Sequence, residues 1–189
     1  NQSLVASLIS NLGVESTEIW AKGLVNNFAR TPQGNDRAQL MAVANGQADI
    51  AIANTYYIGI MLSGKGGEEQ RQAASKLKIA FPNQDNRGSH VNISGGGILK
   101  HSPNKANAEK FLEFLLTEEA QKHIVNNTFE YPVLDGVEPH QVIAQFGSFK
   151  MDKTSVADFG KYNPEAVKLM DRAGSVSYTH LTLPTIVGV

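Results

Sequence analysis

Ala48-Asp49-Ile50-Ala51-Ile52-Ala53-Asn54-Thr55-Tyr56-Tyr57-Ile58-Gly59-Ile60-Met61-Leu62 is the stretch on which the fold turns. Its first part, Ala48 to Ala53, is a short apolar run of small residues. That composition suits a strand buried inside an α/β sheet. Ile58 to Leu62 is apolar and uncharged and can begin a helix. Tyr56 and Tyr57 therefore fall where a strand ends and a helix starts. In open α/β sheets ligands bind outside the carboxyl ends of strands. A helix N-terminus adds unpaired backbone N–H groups at the same place.

The flanking sequence extends the pattern. Upstream, Ser3 to Ile9 reads as helix, and Glu15 to Phe28 places Ile19, Trp20, Gly23, Leu24 and Phe28 on one side of a second. Thr31 to Asp36 is a loop by its breakers, and Asn35 or Asp36 can cap a helix from Arg37 to Asn45 with Leu40, Met41 and Ala44 inward. Downstream, Gln70 to Lys76 is a short helix. Leu77 to Pro82 and Val91 to Ser94 read as strands, and Gly95-Gly96-Gly97 permits close backbone approach. Asn104 caps a helix whose buried face is Ala108, Phe111, Leu112, Leu115 and Leu116. Thr117 caps the next, with Glu118 and Glu119 at its positive end. Pro164 to Arg172 is a surface helix with Gly174 just past its end. Helices alternating with strands define an α/β class.

Composition narrows the function. Seventeen basic against 18 acidic residues leave a net charge of −1, which argues against a nucleic-acid partner. No apolar run reaches the ~18 residues of a membrane helix, so no membrane insertion is expected. The absence of cysteine removes thiolate metal sites, Cys nucleophiles and disulfides together. No Gly-x-Ser-x-Gly elbow is present, and the three glycines at 95–97 lack the following Lys-Ser/Thr of a phosphate loop.

Chemistry is left to the tyrosine pair. A phenol has a reference pKa of about 10, and a hard, highly charged cation makes its phenolate favourable at neutral pH. Ferric iron is such a cation, and two phenolates from one turn suit it. Taken alone, adjacent tyrosines also fit a packing pair with one ring in the core. Arg37 and Asn54 are candidates for binding an anion or supporting the metal, although Arg37 also fits a surface salt bridge with Asp36. His90, His101, His123 and His140 lack the i, i+4 spacing of a helical metal site. Glu130-Tyr131-Pro132 reads as an extended segment after a helix, with a place beside the cleft as the alternative.

Several stretches together carry a family likeness. They are Asn1 to Leu8, Gly34 to Arg37, Ala48 to Tyr57, Phe81 to Gln84, His90 to Ile98 and Asn104 to Leu115. Over Asn1 to about Gly174 the chain resembles the C-terminal part of the ferric-iron-binding, extracytoplasmic solute-binding proteins of ABC transporters, the bacterial transferrin-like group. The resemblance implies a two-lobe type II periplasmic-binding-protein fold, hinged to close on its ligand, with the N-terminal lobe largely missing here. It implies a non-enzymatic protein that captures Fe3+ between lobes, outside the cytoplasm or in the periplasm, and delivers it to an ABC permease. It implies Tyr56 and Tyr57 as iron ligands, a third tyrosine immediately before Asn1, and further ligands from the other lobe. Whether a synergistic anion completes the site is left open. The alternatives are a binding protein for an anion or organic solute, using the tyrosines to stack or hydrogen bond, and a hydrolase or transferase using a tyrosine as acid or base. The last lacks a partner base near the tyrosines.

On this basis residues 1–80 are expected to form most of the second lobe. Residues 81–174 are expected to hold the interlobe crossing and the C-terminal helices that pack on the first lobe. Residues 175–189 carry no charge, and Ser177 to Thr185 resembles adapter read-through, so 175–189 is expected to be a non-native tail.

Overall fold

The computed structural model describes residues 2–175. Among them are the helices α1 (Gln2–Leu12), α2 (Val14–Asn26), α3 (Asp36–Ala44), α4 (Thr55–Leu62), α5 (Glu68–Ala74), α6 (Lys105–Leu115), α7 (Glu118–Thr128), α8 (Gln141–Ala144) and α9 (Val156–Arg172). They belong to two compact units. Among the described residues one takes 2–28, Arg87–Asn92 and 151–175, and the other takes Ala29–Asn86 and Ile93–Lys150. The tail expectation falls on 175–189, and all of that segment but Ser175 lies outside the described residues.

The first unit is built on α1, α2 and α9. Val5, Ala6 and Ile9 of α1 lie against Ala166, Leu169, Met170 and Ala173 from α9 and its end, with Ala21 of α2 closing the core and Trp20 and Tyr162 flanking it. Small residues at Ala6, Ala21 and Ala166 let the helices approach closely. Gly13 adopts φ 81 as the single residue between α1 and α2, and its carbonyl accepts from the Thr17 hydroxyl at 2.7 Å. A left-handed linker there is natural for glycine. The buried face of α2 is Thr17 and Ala21, while Ile19 is 67% exposed, so the apolar stripe expected through Ile19 is displaced. Likewise α9 starts at Val156, not at Pro164. Ser155 caps it by accepting from the Ala157 N–H at 3.2 Å, and the helix runs through Pro164, whose missing N–H costs one internal bond.

The segments 87–92 and 151–152 of this unit meet in a parallel bridge between Ser89 and Met151, and the Asp152 N–H donates to the Ser89 carbonyl at 2.8 Å. The Asp152 carboxylate collects the Ser7 hydroxyl at 2.9 Å, the Thr154 N–H and hydroxyl at 2.9 and 2.7 Å, and Arg87 Nη1 at 3.1 Å.

In the second unit α3, α4 and α5 enclose Leu40, Ile58, Met61, Ala73 and Ala74. Asn35 caps α3 as expected, its side chain accepting from the Ala38 N–H. Thr117 caps α7 in the same way through the Ala120 N–H. Asn104 stands at the start of α6 without making a side-chain cap.

One expectation fails here. No β-ladder is present among the described residues beyond the single bridge at Ser89. The run 50–53 nonetheless alternates as a strand does: Ala51 and Ala53 pack on the helical core while Ile50 and Ile52 are exposed. Leu77 and Ile79 pack likewise. These segments have one face on the helices and no neighbouring strand among the described residues with which to exchange hydrogen bonds, so they remain unpaired. Helix α6 buries no residue: Phe111, on the apolar face whose helical spacing is as expected, is 59% exposed, and Leu116 just past its end is 60% exposed. The short helix α8 carries no sequence periodicity long enough to reveal it.

Candidate metal site

The second unit holds every candidate site residue. Asn54 is extended (φ −74°, ψ 142°) at the start of α4, and its carbonyl accepts from the Tyr57 N–H at 3.2 Å. Its side chain does not cap the helix. This turn sets Tyr56 and Tyr57 side by side in the first turn of α4. Their ring centroids are 4.2 Å apart and tilted by 38°. Tyr57 also packs against the α3–α4–α5 core, so one face of the pair is anchored.

Electrostatics single out Tyr56. Burial, a hydrogen bond with Tyr57, and the charges of Tyr57, Asp36 and Glu130 push its pKa up to about 12. The negative charge comes from two other elements: Asp36 opens α3, and Glu130 follows α7. Glu130 is itself fixed, accepting from the Ser94 hydroxyl at 2.8 Å. At neutral pH Tyr56 is therefore a neutral phenol in a surrounding that is already negative. A hard cation reverses that preference by taking the place of the phenolic proton. The set of donors is all oxygen, as such a cation requires.

Arg37 is half-buried in the first turn of α3, and no ion pair with Asp36 appears among the described residues. The histidines are dispersed. His90 belongs to the first unit, where Nε2 lies 3.3 Å from the Ser3 hydroxyl. The Nδ1 of His140 accepts from the Val142 N–H, and His101 and His123 are exposed. Among the described residues no three His, Asp or Glu side chains group to hold a metal. Sequence reasoning missed Asp36 as a neighbour of the tyrosines, having read it as a helix cap. It left Glu130 as a secondary option, because nothing local ties residue 130 to residue 56.

Residues 9–122 match the bacterial extracellular solute-binding proteins, and the chain belongs to that family. Within it, the chain is 51% identical over 174 residues to iron uptake protein A1 of Synechocystis sp., covering 92% of this chain and 48% of that relative. Among solved structures, the Trichodesmium protein IdiA (FutA) in complex with iron and citrate superposes with a TM-score of 0.87 at 52% identity, over 92% of this chain and 55% of that one. The ferric binding protein of Campylobacter jejuni gives 0.87 at 42% identity, over 92% and 54%. The chain spans about half the length of the curated relatives it matches. Its fold class is that of these proteins, the α/β two-lobe type II fold of periplasmic binding proteins.

Proposed function

We propose that this chain is a ferric-iron-binding, non-enzymatic solute-binding protein, with Tyr56 and Tyr57 as ligands of the ion. The observation that carries the proposal is the tyrosine pair itself: two phenols 4.2 Å apart at a helix start, with the charges of Asp36 and Glu130 acting on one of them. Fe3+ is the cargo. Binding exchanges the Tyr56 phenolic proton for the ion and relieves the crowding of negative charge. Arg37 and Asn54, at the starts of α3 and α4, are the groups offered to an accompanying anion or to the ligands' support. Iron uptake by the Synechocystis relative and the iron and citrate held by the Trichodesmium protein support this reading. On it, the protein works outside the cytoplasm, closes on the ion between two lobes and hands it to an ABC permease. Ligand binding favours the closed state only by its difference in affinity for the two states. No helix among the described residues is long and apolar enough to cross a membrane.

The test is a titration of the chain with ferric nitrilotriacetate. Ferric phenolate absorbs visible light, so the proposal expects a coloured protein that retains iron through gel filtration. A protein that stays colourless, with all iron in the low-mass fraction, even when the chain is completed with the remaining half that its relatives carry overturns it in favour of an organic or anionic solute.

A further inference from the structure

Gly59 lies two residues beyond Tyr57 and is buried in α4. A Cβ at this position would stand 2.8 Å from Cδ1 of Ile143 in α8, 2.9 Å from Cβ of Phe129 and 3.2 Å from its Cγ. Interiors are packed too closely to absorb such contacts without movement. Phe129 is badly placed to yield. It is 1% exposed, and its backbone sits at φ 61, a left-handed conformation that is costly for a bulky side chain. The His140 ring meets its ring edge-on at 4.6 Å, and the Lys65 ammonium lies 4.8 Å from its centroid. The left-handed residue ends α7 and turns the chain into Glu130, whose carboxylate Ser94 then holds. A single tight contact thus joins the helix that carries the tyrosines to the turn that carries the nearby carboxylate.

We propose that Gly59 and Phe129 are positioning residues of the tyrosine site: their contact sets the spacing between α4 and the 129–131 turn, and with it the placement of Tyr56 and Tyr57 relative to Glu130. The inference rests on the metal-binding reading of the tyrosines. A metal site tolerates displacements of only about 0.5 Å from productive geometry. Movement of either wall by a few tenths of an ångström therefore reaches the donors.

The experiment uses the full chain with isotope labelling. Gly59→Ala, Ile143→Val and the double variant are compared with wild type by two-dimensional NMR without metal and by titration with ferric nitrilotriacetate. In folded Gly59→Ala the resonances of Tyr56, Tyr57 and Glu130 are expected to move while those of Trp20 and His90 stay. Iron affinity should fall about tenfold, as when a supporting residue of a metal site is lost. Ile143→Val removes the 2.8 Å contact but leaves the 2.9 Å contact with Phe129 Cβ, so the double variant should keep most of the Gly59→Ala displacement, and its full recovery would assign the effect to Ile143 instead of Phe129. A folded Gly59→Ala with unmoved tyrosine and Glu130 resonances overturns the proposal, even where iron still binds. Moved resonances in Gly59→Ala, beside a wild type that takes up no iron, would leave the positioning role standing and remove the ferric assignment. Where Gly59→Ala does not fold, Ile143→Val alone decides: unmoved Tyr56, Tyr57 and Glu130 resonances overturn the positioning role.

Discussion

Arg87 and Asp152 form an ion pair of 3.1 Å whose carboxylate side chain is 4% exposed and whose guanidinium is 19% exposed. The two residues lie 65 apart in sequence, and each belongs to a segment that enters the first unit from the second. Breaking a buried pair by removing one partner costs about 3–5 kcal/mol. Asp152→Ala also takes away the acceptor of the Ser7 hydroxyl. Urea unfolding followed through Trp20, the single tryptophan, should report a loss of about 3 kcal/mol. An unchanged midpoint would mean that this network does not hold the first unit together.

The same region predicts acid sensitivity in two steps. Burial lowers the His90 pKa, with Asp152 raising it and Arg87 lowering it, and the Nδ1 has no hydrogen-bond partner among the described residues. The folded state thus holds this ring neutral more firmly than the unfolded chain does. Its contribution is present above the unfolded value of about 6.5 and declines as pH falls below it. Asp152 is pushed up by burial, but its bonds from Thr154 and Ser7 and the charge of Arg87 leave it below the ordinary carboxylate range. Its contribution is full above the unfolded value of about 3.9 and disappears as pH falls through the folded one. Thermal melts should therefore weaken first below about pH 6.5 and again below about pH 4. His90→Gln should erase the first step and leave the second.

The exposed face of α6 should drive association. Phe111, Phe114 and Leu116 are 59%, 45% and 60% exposed, and Leu99 nearby in sequence is 79% exposed. Large exposed apolar side chains of this kind promote contact between molecules. Light scattering should find oligomers of this chain, and Phe111→Lys with Leu116→Glu should shift them towards monomer. A wild-type chain that stays monomeric at high concentration would contradict the expectation.

How much of this was legible in sequence depends on the range of the interaction. The caps at Asn35 and Thr117 were readable because the side chain and its N–H are three residues apart. The helix carrying Tyr56 and Tyr57 was readable from its apolar run and its position after Ala53. Residues 48–53 and 77–82 were read as strands from their short apolar runs, but a ladder needs a neighbouring backbone, and no local pattern shows whether one is present. Pro164 reads as a helix start because proline favours the first turn. The Ser155 cap nine residues earlier decides otherwise. Glu130 and Asp36 come to Tyr56 from elements distant in sequence, and Gly59 owes its role to Phe129, 70 residues on. Contacts of that kind are products of packing, with no signature in the chain.

Iron binding should depend steeply on pH. With its pKa pushed up to about 12, Tyr56 is protonated throughout the neutral range, so its ligation releases a proton. Each proton exchanged makes the apparent affinity fall about tenfold per pH unit of acidification. Titrations from pH 8 to 6 should show this loss together with proton release in weakly buffered solution. A pH-independent affinity would mean that the ion does not bind through the Tyr56 oxygen.

The central claim concerns two oxygen atoms, and the most direct measurement removes them one at a time. Tyr56→Phe, Tyr57→Phe and the double variant keep both rings and their packing, so thermal stability should change little. Visible absorbance during ferric titration should show the phenolate band in wild type. Each single variant should lose at least about tenfold in affinity with a weakened, shifted band, and the double variant should stay colourless. If both single variants keep the wild-type band and affinity, Tyr56 and Tyr57 are packing aromatics and the ferric assignment is wrong.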